Sequence, residues 1–360
     1  MPLASSEGQP RPFSWPGSVD IPRRRWNTLP RDGPRTKLAA PIPAPQFENP
    51  TRKAPVALAG VLLVNYRQWE LTRKCVESLR RSRGVDVTIG LVDNDSPEPV
   101  PEWVEQSPDV HFHRSASNLG LTAGNNLAFS LLEPLGTDYT LILNNDTEVF
   151  PDTIRLLVEH LEENPERGIA APAVLYAEHP DLVWSAGGEL IRWRMLVRQR
   201  HARVRDLPME PVEADAVSGC AMLLRTRQLA QAGLQDPGLF VYYEDDDLCF
   251  RVRRLGLGIA LVPQARVLHH VSVSVGGVLS PMAVYFTHRN RCVVAGRYLR
   301  RAELAAFLLY YLSVTAIKTF TYPLRGSAGL VRWMWRATLH GLLGRTGVVP
   351  RGLLNRRRES

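Results

Sequence analysis

The chain has 360 residues, 44% hydrophobic and 22% charged, an ordinary globular composition with enough length to bury a large core. Its net charge of +8 is uneven: residues 1–55 carry nine Lys/Arg against four Asp/Glu, residues 296–360 carry twelve against two, and the stretch between is net −7. An acidic middle has the wrong sign for gripping nucleic-acid phosphate, so no nucleic-acid partner is expected; the basic ends suit an anionic membrane surface, or simply solubility.

Residues 1–55 hold 12 of the 28 prolines and no periodic apolar pattern, and read as disordered or extended. They contain no apolar h-region of a secretory leader. The four cysteines, Cys75, Cys220, Cys249 and Cys292, form no CxxC pair and no secreted disulfide framework, which points to a reducing, cytoplasmic compartment. Arginine outnumbers lysine 40 to 4, as in proteins of GC-rich bacterial genomes.

From residue 56 the pattern changes. VALAGVLLVNY (56–66) is apolar on both faces, like a buried parallel strand. ELTRKCVESLRRS (70–82) has Leu71, Cys75, Val76 and Leu79 on one helical face, and VDVTIGLVDND (85–95) is a second strand ending in acids. Residues 111–132 read as a short strand, a Gly/Asn-rich turn and a helix. YTLILNNDTEVF (139–150) reads as one buried strand that stops at polar residues, followed by a helix that Pro151 and Asp152 start. Residues 216–233 and 242–256 read as strand-then-helix and acid-then-helix, and 259–274 as a strand. The alternation predicts an α/β fold, an open and mostly parallel sheet with helices on both faces, whose ligands bind beyond the carboxyl ends of the strands. LAAFLLYYLSVTAI (304–317) is apolar but stops at Lys318, short of the ~20 residues that span a bilayer. It reads either as an interfacial membrane helix or as an ordinary helix covering the domain. The implied domains are 1–55, 56–301 and a basic C-terminal helical segment, 302–360.

Four constellations could carry chemistry. Asn144, Asn145 and Asp146 sit where a buried strand ends; an acid there can hold a divalent metal against a diphosphate, although Asn/Asp turns after strands are common. Glu244, Asp245, Asp246 and Asp247 are four consecutive acids at a helix start. A helix dipole accounts for one or two of them, and the rest suit a general base or a cation site. His269 and His270 point to opposite faces of a strand, so one of them at most reaches a given site. SNLGLTAGNN offers glycines for close backbone approach, but it is neither a dinucleotide nor a P-loop fingerprint.

Read in order, VLLVNYR, LVDNDS, SNLGLTAGNN, LILNNDTEV, SGCAMLLR, LFVYYEDDDLCFRVRRLG and ARVLHHVSVSVGG resemble the family 2 glycosyltransferases, the inverting group with the A-type (GT-A) fold, over about residues 56–301. The likeness is closest to the rhamnosyltransferase-type members that decorate cell-surface polysaccharides. The resemblance implies a nucleotide-sugar donor, a glycan or lipid-linked acceptor, and Mg²⁺ or Mn²⁺. It also implies roles for individual residues: Asp93, Asn94, Asn118 and Asn125 in the donor pocket, and Asn144–Asp146 at the family's DxD position. There Asp146 would bind the metal, with Asn144 replacing the first acid. Ser218 and Gly219 would line the acceptor side, Glu244 and Asp245 would form the ED pair with Asp245 as catalytic base, and Asp247 would be structural. His269 would complete the metal and diphosphate site, and Arg289 with Asn290 resembles a pair that follows the last core strand. Peripheral contact with the inner face of the cytoplasmic membrane would fit the C-terminal segment. A nucleotidyltransferase on a similar sheet would need a Gly- and Arg-rich loop after the first strand, where NYRQWELT stands instead. A degenerate, non-catalytic carbohydrate- or nucleotide-sugar-binding protein is the other alternative.

Overall fold

Alternate side chains of the first apolar run go to opposite sides of a sheet. Val61 and Leu63 enter one core and Leu62 the other, so both faces of this strand need covering. In the computed structural model, which describes residues 56–199, 202–271, 279–347, 349–350 and 352–353, that run is β1 (Leu58–Asn65). Residues 1–55, and residues 272–277 of the last quoted motif, lie outside the described residues. In chain order there follow α1 (Trp69–Leu79), β2 (Asp86–Asp93), α2 (Glu102–Glu105), β3 (Val110–Arg114), α3 (Gly120–Leu132), β4 (Tyr139–Leu143), β5 (Thr147–Val149), α4 (Thr153–Glu163) and β6 (Arg167–Tyr176). Then come β7 (Val183–Ser185), β8 (Gly188–Ile191), β9 (Leu196–Gln199), β10 (Val212–Glu213), β11 (Ala221–Arg225), α5 (Thr226–Ala232), α6 (Glu244–Arg254) and β12 (Gly258–His269). Three helices end the described chain: α7 (Pro281–Tyr298), α8 (Arg301–Leu324) and α9 (Gly329–Leu342). The described residues from 56 onward form one compact unit.

The main sheet runs β10-β12-β6-β11-β4-β1-β2-β3. β3, β2, β1 and β4 are mutually parallel, as are β6 and β12, while β11 is antiparallel to both of its neighbours. The sheet is therefore mixed but mostly parallel, and helices cover both faces. α1 and α4 contribute Cys75, Leu79, Ile154 and Leu161 to one core. α3, α5 and α6 contribute Ala128, Leu229 and Leu248 to the other.

The segment expected as a single strand at 139–150 is two. Thr147 Oγ1 donates to the Asn144 carbonyl at 2.7 Å, closing a turn at 144–146. β5 then leaves the line of β4 to pair antiparallel with β12. β6 has no counterpart among the expected strands. Pro172 lies in it where β12 bulges, the register passing from Val262↔Pro172 to Arg266↔Ala173, and a bulge is where a sheet tolerates a proline.

Candidate active site at the strand ends

The polar ends of β1 and β2 form one network. Asn65 Nδ2 donates to Asp93 Oδ1 at 2.8 Å, while its Oδ1 accepts from Thr72 Oγ1 at 2.9 Å. Asp93 is fully buried and also faces Arg114 Nε at 3.4 Å. Asn94 Nδ2 donates to Asn118 Oδ1 and to the Gly120 carbonyl, each at 3.1 Å, and its Oδ1 accepts from Leu119 N at 2.8 Å. Asn94 thus joins Asn118 at the start of α3, while the Asp93 side chain ties the end of β2 to Asn65 at the end of β1. Asn125 turns instead to the far side of that helix turn, where its Nδ2 donates to Gln235 Oε1 at 2.8 Å. Asn65 was not singled out in the sequence, although it is a polar residue ending a buried strand just as Asp93 is.

The 144–146 turn delivers a carboxylate and an imidazole to one point. Asp146 Oδ1 and His269 Nε2 are 3.2 Å apart and both residues are buried, and the indole of Trp184 stands edge-on to His269 with centroids 4.5 Å apart. Burial opposes charge on His269, but its neighbours Cys220 and Asp146 outweigh that and push its pKa up to about 10. Burial raises the Cys220 thiol, against the pull of His269 beside it. His270 points the other way, to Glu148 Oε1 at 2.8 Å. One carboxylate and one imidazole are few donors for an all-protein metal cage, and among the described residues no cluster of three such side chains occurs. They do suit a divalent ion that takes its remaining ligands from phosphate oxygens and water.

This turn is tied to the acidic helix through a two-residue link. Asn144 N donates to the Cys220 carbonyl at 2.9 Å, and the preceding Gly219 N donates to Asp245 Oδ2 at 3.0 Å. Ser218 Oγ accepts from Cys220 N at 3.2 Å. A Cβ on Gly219 would lie 3.2 Å from that of Asp245. Gly219→Ala should therefore displace the carboxylate by a few tenths of an ångström. The expected result is a fall in kcat of about tenfold or more with little change in Tm, read by steady-state transfer kinetics beside a thermal melt.

The four acids are not equivalent. Asp247 is buried and takes Arg251 Nε at 2.9 Å, Arg297 at 3.0 Å and Tyr298 OH at 2.8 Å, so it fastens α6 to α7. Glu244 is buried, and its Oε2 has no hydrogen-bond partner among the described residues. Burial, then the charge of Asp245, holds its carboxyl well above the usual range. Asp246 is raised by burial and by Asp245 and Asp247. Burial also raises Asp245, but the N–H groups of Gly219 and Asp246 pull it back toward the ionised form. Of Glu244, Asp245 and Asp246, Asp245 is the one whose two carboxyl oxygens each accept a backbone N–H, from Gly219 and from Asp246, and it is half-buried rather than sealed.

A strained loop presents that carboxylate. Phe240, Tyr242 and Tyr243 all have positive φ, 68°, 69° and 67°, at a cost of order 1–3 kcal/mol each for bulky residues. Every carbonyl from 238 to 243 has a partner. The Phe240 carbonyl accepts from Leu121 N at 2.7 Å and Thr122 N at 3.2 Å, and that of Tyr243 from Asp247 N at 2.9 Å. Arg289 donates to the carbonyls of Gly238 and Leu239 at 2.8 and 2.9 Å. Asn290 Nδ2 lies at 2.8, 2.9 and 2.7 Å from those of Leu239, Val241 and Tyr242, and its Oδ1 accepts from Arg289 Nε at 2.8 Å. Both side chains are fully buried. The sequence drew attention to this pair without giving it a task; the structure makes it the clamp on the loop between α5 and α6.

Known proteins resemble this chain in sequence and fold. Residues 61–227 match the profile "Glycosyl transferase family 2", a span that includes Asp93, Asp146 and Gly219 and stops before Asp245. A low-salt glycan biosynthesis hexosyltransferase, Agl10, of Haloferax volcanii is 26% identical over 233 residues, 64% of this chain and 73% of its own length. An N-acetylglucosaminyl-diphospho-decaprenol L-rhamnosyltransferase of Mycobacterium tuberculosis is 26% identical over 243 residues, 60% of this chain and 77% of its own. Among solved structures, GalNAc-T7 with UDP, GalNAc and Mn²⁺ superposes with a TM-score of 0.57 at 16% identity, over 79% of this chain and 55% of that one, a likeness of GT-A-type fold. With its strand-end site and its match to that profile, the chain is a family 2 glycosyltransferase, an enzyme that transfers a sugar.

Proposed function

We propose that this enzyme moves a hexose from a nucleoside diphosphate sugar to a hydroxyl of a glycan or lipid-linked acceptor, with inversion at the anomeric carbon, in the building of a cell-surface polysaccharide. The observation that carries this reading is the link Asn144–Cys220–Gly219–Asp245, which ties the Asp245 carboxyl group to the turn that bears the Asp146–His269 pair. Asp245 takes the proton of the acceptor hydroxyl, and that oxygen attacks the anomeric carbon from the face opposite the diphosphate. The bond to the diphosphate breaks with its electron pair, and the nucleoside diphosphate leaves. Asp93, Asn94 and Asn118 hold the strand ends and the α3 turn in the shape that receives the nucleoside. Asp146 and His269 are the residues that would hold Mg²⁺ or Mn²⁺, whose chemistry is to offset charge growing on the leaving phosphate. The names of both relatives, a glycan hexosyltransferase and a rhamnosyltransferase named for a diphospho-decaprenol-linked sugar, support the transferred hexose and the acceptor class.

The test is release of nucleoside diphosphate from a panel of nucleotide sugars, with and without Mn²⁺ and acceptor. Metal-stimulated, acceptor-dependent release with one donor is expected, and Asp146→Ala should weaken the metal stimulation by at least about tenfold. Donor binding without hydrolysis or transfer across the whole panel would instead make this a binding protein.

A further inference from the structure

α8 is amphipathic in an inverted sense. Its inward stripe, Phe307, Tyr311, Thr315 and Tyr322, packs on the domain. Lys318 joins that side, its Nζ 5.9 Å from the centre of the Tyr322 ring. The outward face is apolar: Leu309 is 74% exposed, Ile317 60%, Phe320 73% and Leu324 85%, and none of the exposed residues from 302 to 324 is charged. At 1.5 Å per residue the helix is about 36 Å long, so this apolar face is far larger than scattered surface hydrophobics produce. α9 adds exposed Trp335, Leu339 and Leu342, and the Trp335 indole N–H donates to Thr319 of α8 at 2.9 Å, which joins the two helices at that point. Exposed arginines 325, 332, 336 and 345 accompany them. The sole acid from 302 to 347, Glu303, is paired with Arg192 at 2.6 Å.

We propose that the outward faces of α8 and α9 dock this enzyme on the surface of an anionic lipid bilayer, with α8 lying in the plane of the headgroup–acyl boundary. Apolar side chains flanked by arginine are what such a boundary takes up, the apolar area supplying depth and the arginines binding acidic headgroups. A second copy of the chain is a poorer occupant, because a two-fold pairing would set this arginine-rich surface against itself. Length and composition would let α8 cross a membrane, but one side of it belongs to the soluble domain. Tyr310 packs edge-on against Trp193 at 5.1 Å, Tyr311 OH meets His288 Nδ1 at 2.8 Å, and Glu303 is bound to Arg192. The helix therefore lies along the surface rather than through it. This inference stands on the helices alone and does not depend on which sugar is transferred.

The test is co-sedimentation of the full chain with phosphatidylglycerol-containing vesicles and with pure phosphatidylcholine vesicles, at low and high salt. Binding is expected to require the anionic lipid, to fall with salt, and to weaken by about tenfold or more in Ile317→Glu/Phe320→Glu. Both positions are exposed, so the variant should melt like the parent. Failure of the parent to bind anionic vesicles, or equal binding by the folded variant, overturns the proposal. So does a parent dimer in light scattering that the double substitution converts to monomer, with no vesicle binding by either; that result would assign the face to a second copy.

Discussion

Asp245→Asn is expected to lower the rate of transfer by about 10²–10⁴-fold, the usual worth of a positioned general base, while donor affinity stays within a few-fold of the parent. Asn keeps an oxygen that can accept the Gly219 N–H, so the link to the 144–146 turn survives and the loss is that of the basic site. Burial raises Asp245, so the acid limb of the parent's pH profile should lie above the ordinary aspartate range. Activity is present when the carboxylate is ionised and is lost as pH falls through that raised value, and the limb should vanish from the residual rate of the variant. Steady-state kinetics across pH, beside titration of donor binding, would settle the assignment. Loss of donor binding with normal residual turnover would remove Asp245 from the base's role.

Asn290→Asp should be the most damaging conservative change far from the strand ends. Aspartate matches asparagine in size, but an ionised side chain cannot donate, and it would set a negative charge against the carbonyls of Leu239, Val241 and Tyr242. An unsatisfied buried acceptor costs roughly 1–3 kcal/mol, and more when a charge is involved, so about 3 kcal/mol or more of stability is expected to go. Because the loop's backbone is held against its own preference at Phe240, Tyr242 and Tyr243, it should relax once the clamp is gone and carry Asp245 with it. A structural role alone predicts a lower Tm with normal kcat in the fraction that stays folded. A positioning role predicts that kcat falls by tenfold or more in that fraction while KM for the donor changes less. Kinetics well below the variant's Tm distinguish the two.

The two-sided apolar runs made β1, β2 and β4 readable in the sequence, and polar residues at their ends pointed to the site. β6 was not readable because its residues, RGIAAPAVLY, mix alanine, glycine and a proline that only a bulge in a distant partner makes acceptable. α8 was read as ending before Lys318 because a charge seemed to interrupt an apolar run. With that lysine turned inward the helix continues to Leu324. Least readable was the 240–243 loop. Nothing local asks two tyrosines and a phenylalanine to adopt left-handed backbone; donors about fifty residues later in the chain do. The sequence could thus single out Asp245 as a candidate but not the loop and clamp that hold it.

The sheet order also sets an order of assembly. β3, β2, β1 and β4 come from the first 143 residues and are all parallel, so they can associate early during synthesis. The free side of β4 then waits for β11, which is made nearly eighty residues later and enters antiparallel. The 238–243 loop is made later still, yet the carbonyls of Leu239, Val241 and Tyr242 lack their side-chain donor until Asn290 leaves the ribosome. On this order the nascent chain can build its parallel half first, and the clamp on the 238–243 loop closes among its last steps.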